Sequence, residues 1–347
     1  MLSFYLHVSF LIGVLGWTPI GSIRNLNAVQ RIKVDQQDYV VWRKEKNHYV
    51  VQDNHCVHRH APLSEGRVVD MMLECPYHGW RYNAEGNVVR IPQSRSSSTK
   101  CITSYTTKIL GDILWANLPL SIGYDMDIFE KTIEEDSVVC NASIPYQREV
   151  PYSWNYLLEN LFDPAHVPFA HHGMQSRRSD GMPIPMQLVH YTPDKLVVLF
   201  EDQCMNEKRD GRIEFFGPYL YCLSFRQANI WKRNMTILCV PVEVGRTRIF
   251  IIPEKNFTTS ERREQHEFTN TFFNTDDYLV HQQEIYHGRS RTPYYMPTSS
   301  DAGIRQLHKW IARFFSEWMF QNVQEKTKAE ALDNFENHIK FCKDCQK

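Results

Sequence analysis

Two pairs of metal-binding residues, Cys56-Val-His58 and Cys75-Pro-Tyr-His78, flank residues 59–74, and they limit the fold before anything else does. Each pair puts one thiol and one imidazole on a short loop, so the chain must bring two loops to one point and hold them there. The surrounding sequence is suited to that. Asp38-Tyr-Val-Val-Trp42 and His48-Tyr-Val-Val-Gln52 are β-branched and aromatic runs separated by the polar turn Lys44–Asn47. Arg81–Asn87 reads as a second hairpin around Gly86, Gly111–Asn117 as a closing strand, and the Ser-rich segment Gln93–Lys100 as a loop. A small all-β domain is expected over residues 17–120.

The donor set points to a [2Fe–2S] cluster. Two cysteines hold one iron and two histidines the other, and neutral imidazole in place of thiolate raises the reduction potential, which suits the centre to accept single electrons and pass them on. A structural zinc is the competing use of two Cys and two His. The proline, glycine and aromatics of Cys75-Pro-Tyr-His78-Gly-Trp80, which shape and dry a pocket, favour the cluster. His55 and His60 read as neighbours of the ligands.

From about Pro145 the texture changes. Tyr152–Phe162 has helical character, and residues 188–201, 212–226 and 235–252 alternate like antiparallel strands. Helical stretches are expected at Thr259–Asn274, Asp276–His287 and Ser299–Phe320; in the last, Leu307, Trp310, Ile311, Phe314, Phe315 and Trp318 make one apolar stripe suited to packing on a sheet. This domain spans residues 145–340 and carries a second constellation, Asp163-Pro-Ala-His166 followed by His171. Asp163 and His166 are placed on one face of a helix, which Pro168 then disturbs so that His171 folds back. Two histidines and one carboxylate leave open positions on a ferrous ion, the arrangement of non-haem oxygenases. Asp276 is the candidate carboxylate, Asp277 its rival and Glu284 a third. Asp163, one turn before His166, is read as accepting the ring N–H of a metal-bound histidine or bridging electrons from the cluster, with a simple cap before Pro164 as the structural alternative.

With 347 residues the chain is long enough for these two domains. A formal net charge of −1 offers no basic face for nucleic acid. Of nine cysteines, Cys101, Cys140, Cys204, Cys222 and Cys239 show no disulfide-like spacing and are expected to be small buried hydrophobes. Leu2 to Trp17 is almost wholly apolar, a little short for a spanning helix and without a basic leader. It reads as a membrane or targeting segment (residues 1–16), the remnant of an upstream truncation, or a buried element of the fold. No other stretch reaches eighteen apolar residues, which excludes a polytopic membrane protein.

The motifs His58-Arg-His-Ala-Pro-Leu-Ser-Glu-Gly66, Tyr77-His-Gly-Trp80, Ile91-Pro-Gln93 and Glu159-Asn-x-x-Asp163-Pro-x-His166-x-x-Phe-Ala-His171-His172 resemble Rieske non-haem iron oxygenases, and within them the pheophorbide a oxygenase-like branch. The resemblance implies an α+β chain: an N-terminal all-β Rieske domain, then a helix-grip (START-like) catalytic domain with an antiparallel sheet and C-terminal helices. It implies that Cys56, His58, Cys75 and His78 hold the [2Fe–2S] cluster and that His166, His171 and Asp276 hold a mononuclear Fe(II). It further implies a homotrimer in which Asp163 carries electrons from one subunit's cluster to the next subunit's iron.

Members of the branch oxidise chlorophyll-derived tetrapyrroles, or act at plastid membranes with reduced ferredoxin as donor. The expected activity is therefore monooxygenation of a hydrophobic small molecule with O2. The expected location is a chloroplast membrane in a photosynthetic eukaryote, and otherwise the cytoplasm or a membrane surface. The alternatives are a hydroxylase or demethylase of a non-tetrapyrrole, or a non-catalytic redox-sensing, membrane-associated protein. Many relatives end in Cys-x-x-Cys; here the tail 341–347 carries Cys342 and Cys345, a regulatory dithiol or two incidental thiols. Two departures from the branch stand out: an N-terminal extension of only about sixteen residues, and a C-terminal stripe too polar between its apolar positions to span a membrane.

Overall fold

The structure, a computed structural model, describes residues 14–95, 98–120, 126–290, 292–315 and 323–346. Most of the apolar run from Leu2, together with Trp318, lies outside the described residues. The run's last residues open the strand Val14–Ser22, which pairs antiparallel with Ile113–Leu120.

The N-terminal portion is all β, as the alternating runs require. Gln37–Glu45 and His48–Asp53 form the expected hairpin, with Trp42 opposite Val50 and Asn47 taking the positive φ of its turn. Four short strands, Arg67–Val69, Met72–Glu74, Arg81–Tyr82 and Val88–Arg90, make a small separate sheet. Its turn needs glycine: Gly86 sits at φ +85°, and a Cβ there would lie 2.1 Å from the Ile102 carbonyl oxygen. A core of Val40, Trp42, Cys56, Leu63, Leu73 and Tyr82 packs beneath the two metal-binding loops.

The second portion is one antiparallel sheet of seven strands, in the order Tyr146–Val150, Arg246–Ile251, Ile230–Glu243, Leu220–Gln227, Glu207–Phe216, Lys195–Cys204, Met186–Tyr191. The alternating segments thus become hairpins, and alternation decides which side chains face inward. The helix Trp154–Leu161 packs on Ile230–Glu243 and on the helices Asp277–Ser290 and Ala302–Phe314. In the last helix the predicted stripe is buried as expected: Leu307, Trp310 and Ile311 are inaccessible and contact the sheet's far strands. The helix Thr259–Asn274 begins with a reciprocal cap, Thr258 with Glu261. Of the five cysteines expected to be buried, Cys222 and Cys239 are, whereas Cys101 is exposed and Cys140 and Cys204 half-buried. Cys222 and Cys239 lie on interior strands of the seven-stranded sheet, whereas Cys101 lies outside the named strands, at an isolated bridge to Asn87. The helix Met126–Glu135, which links the portions, carried no sequence expectation.

Candidate metal centres

The first loop leaves the strand His48–Asp53 and closes on itself through Cys56 N–H to Ala61 O at 2.9 Å and His60 N–H to Cys56 O at 2.8 Å. The second turns between Met72–Glu74 and Arg81–Tyr82, closed by Gly79 N–H to Cys75 O at 3.1 Å and Cys75 N–H to Trp80 O at 2.8 Å. Together they bring the four predicted donors to one place with a clear polarity. Cys56 and Cys75 lie inside, 1% and 2% exposed, while His58 is exposed and His78 half-exposed. The imidazole rings lie 4.6 Å apart, and His58 stacks on Trp80 at 4.7 Å. Tyr82 directs its hydroxyl at Cys56 Sγ, 3.1 Å away, and also accepts from Val57 N–H. Inner sulfurs, outer imidazoles and a hydroxyl on a sulfur suit a cluster whose histidine-bound iron faces outward. His55 and His60 form a separate ring pair.

The second constellation departs from the sequence expectation in its backbone. The helix stops at Leu161 because Asp163, preceding Pro164, is pushed out of the helical region (φ −110°, ψ 86°). Its carboxylate caps the short turn Pro164–His166 by accepting from Ala165 N–H at 2.9 Å. Pro168 does not break anything: it sits in the first turn of Val167–Ala170, where a missing N–H is harmless, and His171 caps that turn's end. The acceptor for His166 Nδ1–H is the Asp163 backbone carbonyl, not the predicted carboxylate.

Tautomers follow from the partners. His166 Nδ1 faces a carbonyl, which only accepts. The Thr275 hydroxyl donates to the Phe272 carbonyl at 2.7 Å, so it accepts from His171 Nδ1–H, also at 2.7 Å. Both Nε2 atoms therefore carry lone pairs, and they face each other at 3.2 Å. Asp276 Oδ2 completes the triangle, 3.7 Å from His166 Nε2 and 3.5 Å from His171 Nε2. Two imidazole lone pairs and a carboxylate oxygen converge, and the centre of such a triangle lies about 2 Å from each corner, a metal–ligand bond length. Burial holds both imidazoles neutral, His171 down to about 3, as ligation requires. Burial, and then the charge of Asp277, pushes Asp276 up to about 7. Its Oδ1 is buried without a partner among the described residues. These atoms fit a cation.

The rival carboxylates are engaged elsewhere. Asp277 forms a fully buried ion pair with Arg148 at 2.6 Å and accepts from Tyr152 Oη. Glu284 accepts from Ser153 N–H at 3.0 Å, at the start of the helix Trp154–Leu161. Asn160, missed in the sequence, donates to Asp276 Oδ2 at 2.9 Å and orients it. The three converging residues open onto a cavity of about 640 Å³, walled by inward-facing Phe200, Tyr221, Leu223 and Ile237 of the sheet and by Phe268 and Phe272 of the helix Thr259–Asn274.

Residues 16–106 match the family model described as the Rieske [2Fe-2S] domain, and residues 150–317 that of the vanillate O-demethylase oxygenase C-terminal domain. Among curated proteins, the chain is 26% identical to protochlorophyllide-dependent translocon component 52 of Arabidopsis thaliana. It is 24% identical to pheophorbide a oxygenase of Oryza sativa and 27% to flavonoid 8-hydroxylase 2 of Ocimum basilicum. Each match covers 95% of this chain and 72% of the relative. Among solved structures, dicamba monooxygenase bound to dicamba superimposes with a TM-score of 0.66 at 14% identity, covering 85% of this chain and 95% of that one, a likeness of fold.

Proposed function

We propose, for a chain that belongs to the Rieske non-haem iron oxygenases, that it mono-oxygenates a chlorophyll-derived tetrapyrrole with electrons from a ferredoxin-type donor, in a plastid. The observation that carries the reading is the convergence of His166 Nε2, His171 Nε2 and Asp276 Oδ2 beside a large apolar cavity. When bound, the [2Fe–2S] group of Cys56, His58, Cys75 and His78 supplies single electrons, and a ferrous ion held by His166, His171 and Asp276 supplies oxygen activation.

The chain's own contribution is placement. The Asp163 carbonyl and the Thr275 hydroxyl fix which imidazole nitrogens face the open centre, and Asn160 fixes the carboxylate. Exposed His58 offers an external donor a short path inward. Asp163 is half-buried beside His166 and belongs to the cavity wall, the position from which its carboxylate would link a neighbouring subunit's cluster histidine to His166 in a homotrimer. The cavity's mostly apolar lining suits a hydrophobic molecule, and its size lies near the middle of the ~300–1,000 Å³ range of small-molecule sites. Exposed Lys255 on its lining gives a cation for an acidic side chain of the substrate.

The flavonoid hydroxylase among the relatives supports a second reading, hydroxylation of a planar phenolic. Oxygen uptake by iron-loaded protein with reduced ferredoxin, offered pheophorbide, chlorophyllide or a flavone, separates the two. Replacing His166 by Ala should lower iron from about three to about two per chain, abolish substrate-dependent uptake and leave the cluster's visible spectrum intact. Retained turnover, or a lost spectrum, would count against the assignment.

A further inference from the structure

The C-terminal Cys342 and Cys345 do not stand alone. His266, from the middle of the helix Thr259–Asn274, and His338 meet them, and one ligand atom from each of the four lies within 4.8 Å of all the others. His266 and His338 are 2% and 0% exposed and Cys342 is 2% exposed. Cys345 Sγ is 3.3 Å from His266 Nδ1 and 3.3 Å from His338 Nε2, and Cys342 Sγ is 3.5 Å from His266 Nδ1.

We propose that His266, His338, Cys342 and Cys345 form a structural zinc site that pins the C-terminal segment to the catalytic portion. The separations argue for it: tetrahedral zinc with Zn–S near 2.3 Å and Zn–N near 2.0 Å sets each sulfur and nitrogen about 3.5 Å apart. The orientation argues for it too. His338 Nδ1 lies 2.6 Å from the Gln147 carbonyl, which only accepts, so that nitrogen keeps the proton and the Nε2 lone pair is aimed at the sulfurs. Tyr146 holds both rings, stacked on His338 at 4.5 Å and edge-on to His266 at 5.1 Å. The Cys-x-x-Cys spacing is that of a zinc-binding turn, closed here by Cys345 N–H to Cys342 O at 3.1 Å. Two thiolates balance the charge of the dication, and zinc, with no redox chemistry and a preference for mixed N/S tetrahedra, is the ion this set selects.

A regulatory dithiol accounts for the two cysteines but leaves two buried, pre-oriented histidines without a purpose. A zinc site accounts for all four, and for what surrounds them. Asp344, between the cysteines, is held by Arg262 of the same helix at 2.7 Å and by Arg24 of the N-terminal portion at 2.8 Å. Lys343 Nζ donates to the Leu26 carbonyl at 2.7 Å. The site thus sits where the tail, the catalytic helix and the Rieske-side loop Arg24–Leu26 meet.

The protein as purified from medium containing zinc should carry about one zinc per chain in addition to its iron, retained through gel filtration and released by a mercurial. Its zinc-edge X-ray absorption should report two sulfur and two nitrogen neighbours. The Cys342→Ser, Cys345→Ser double variant should lose the zinc while keeping the cluster's visible spectrum, and His266→Cys should keep zinc with three sulfurs. Absence of zinc from the native chain, a Cys342–Cys345 disulfide in its place, or a zinc shell lacking sulfur overturns the proposal, and these readings need no variant to fold.

Discussion

Asp276 and Asp277 are neighbours in sequence and opposites in chemistry. Asp276 faces two lone-pair nitrogens and needs a cation; Asp277 already has one in Arg148. Asp276→Asn is therefore expected to lower bound iron by about one per chain and to abolish turnover, with the visible spectrum and the urea midpoint essentially kept. Asp277→Asn leaves a buried guanidinium without its counter-ion and should lose about 3–5 kcal/mol of stability in urea titration. Glu284 gives a pH test of the same kind. Burial pushes its carboxyl up to about 7 from 4.5. A carboxyl with a raised folded-state pKa binds its proton more tightly in the folded chain, so that stability is full below pH 4.5 and declines as pH rises towards 7. The decline is on the order of 3 kcal/mol at most. Glu284→Gln, which keeps the acceptor for Ser153 N–H, should remove that decline: a higher Tm than the parent at pH 8 and little difference at pH 5, by calorimetry.

At the scale of elements, what could be read from sequence was whatever a short window contains. The two donor pairs, the hairpin centred on Asn47, the buried stripe of Ala302–Phe314 and the helix Thr259–Asn274 all follow from local spacing. Where local rules compete, reading fails. Pro168 looks like a helix breaker until the chain is seen to restart one residue before it, and Asp163 looks like a histidine's carboxylate partner until its own backbone takes that role. The choice between Asp276 and Asp277 needs Arg148, more than a hundred residues away, and nothing local ties His266 to His338. Turn geometry offers an element-level test. Gly86→Ala puts a Cβ against the Ile102 carbonyl at a positive φ, which should destabilise the small sheet behind the second loop by about 2 kcal/mol. Faster bleaching of the cluster absorbance in mild denaturant would report it.

For the whole molecule, no described helix is long and apolar enough to cross a membrane. The proposed trimer has a sharper test than a measured mass. A Cys56→Ser variant lacks a cluster but keeps the catalytic triangle, and Asp276→Asn lacks the triangle but keeps the cluster. If electrons cross between subunits, co-expressed chains should recover up to about a quarter of parental oxygen uptake although each variant alone is inactive; electrons confined to one chain would leave the mixture inactive too.

The helix Thr259–Asn274 is fixed at three places: a reciprocal cap at its start, the packing around His266 at its middle, and the Thr275–Asp276 junction beyond its end. Phe268 and Phe272, between those anchors, look into the cavity. Phe272 also stacks on His171 at 3.7 Å, so Phe268 is the wall side chain whose exchange alters which molecule is admitted while the chemistry stays put. Relatives named pheophorbide a oxygenase and flavonoid 8-hydroxylase fit such a division of labour, a fixed frame around an editable wall.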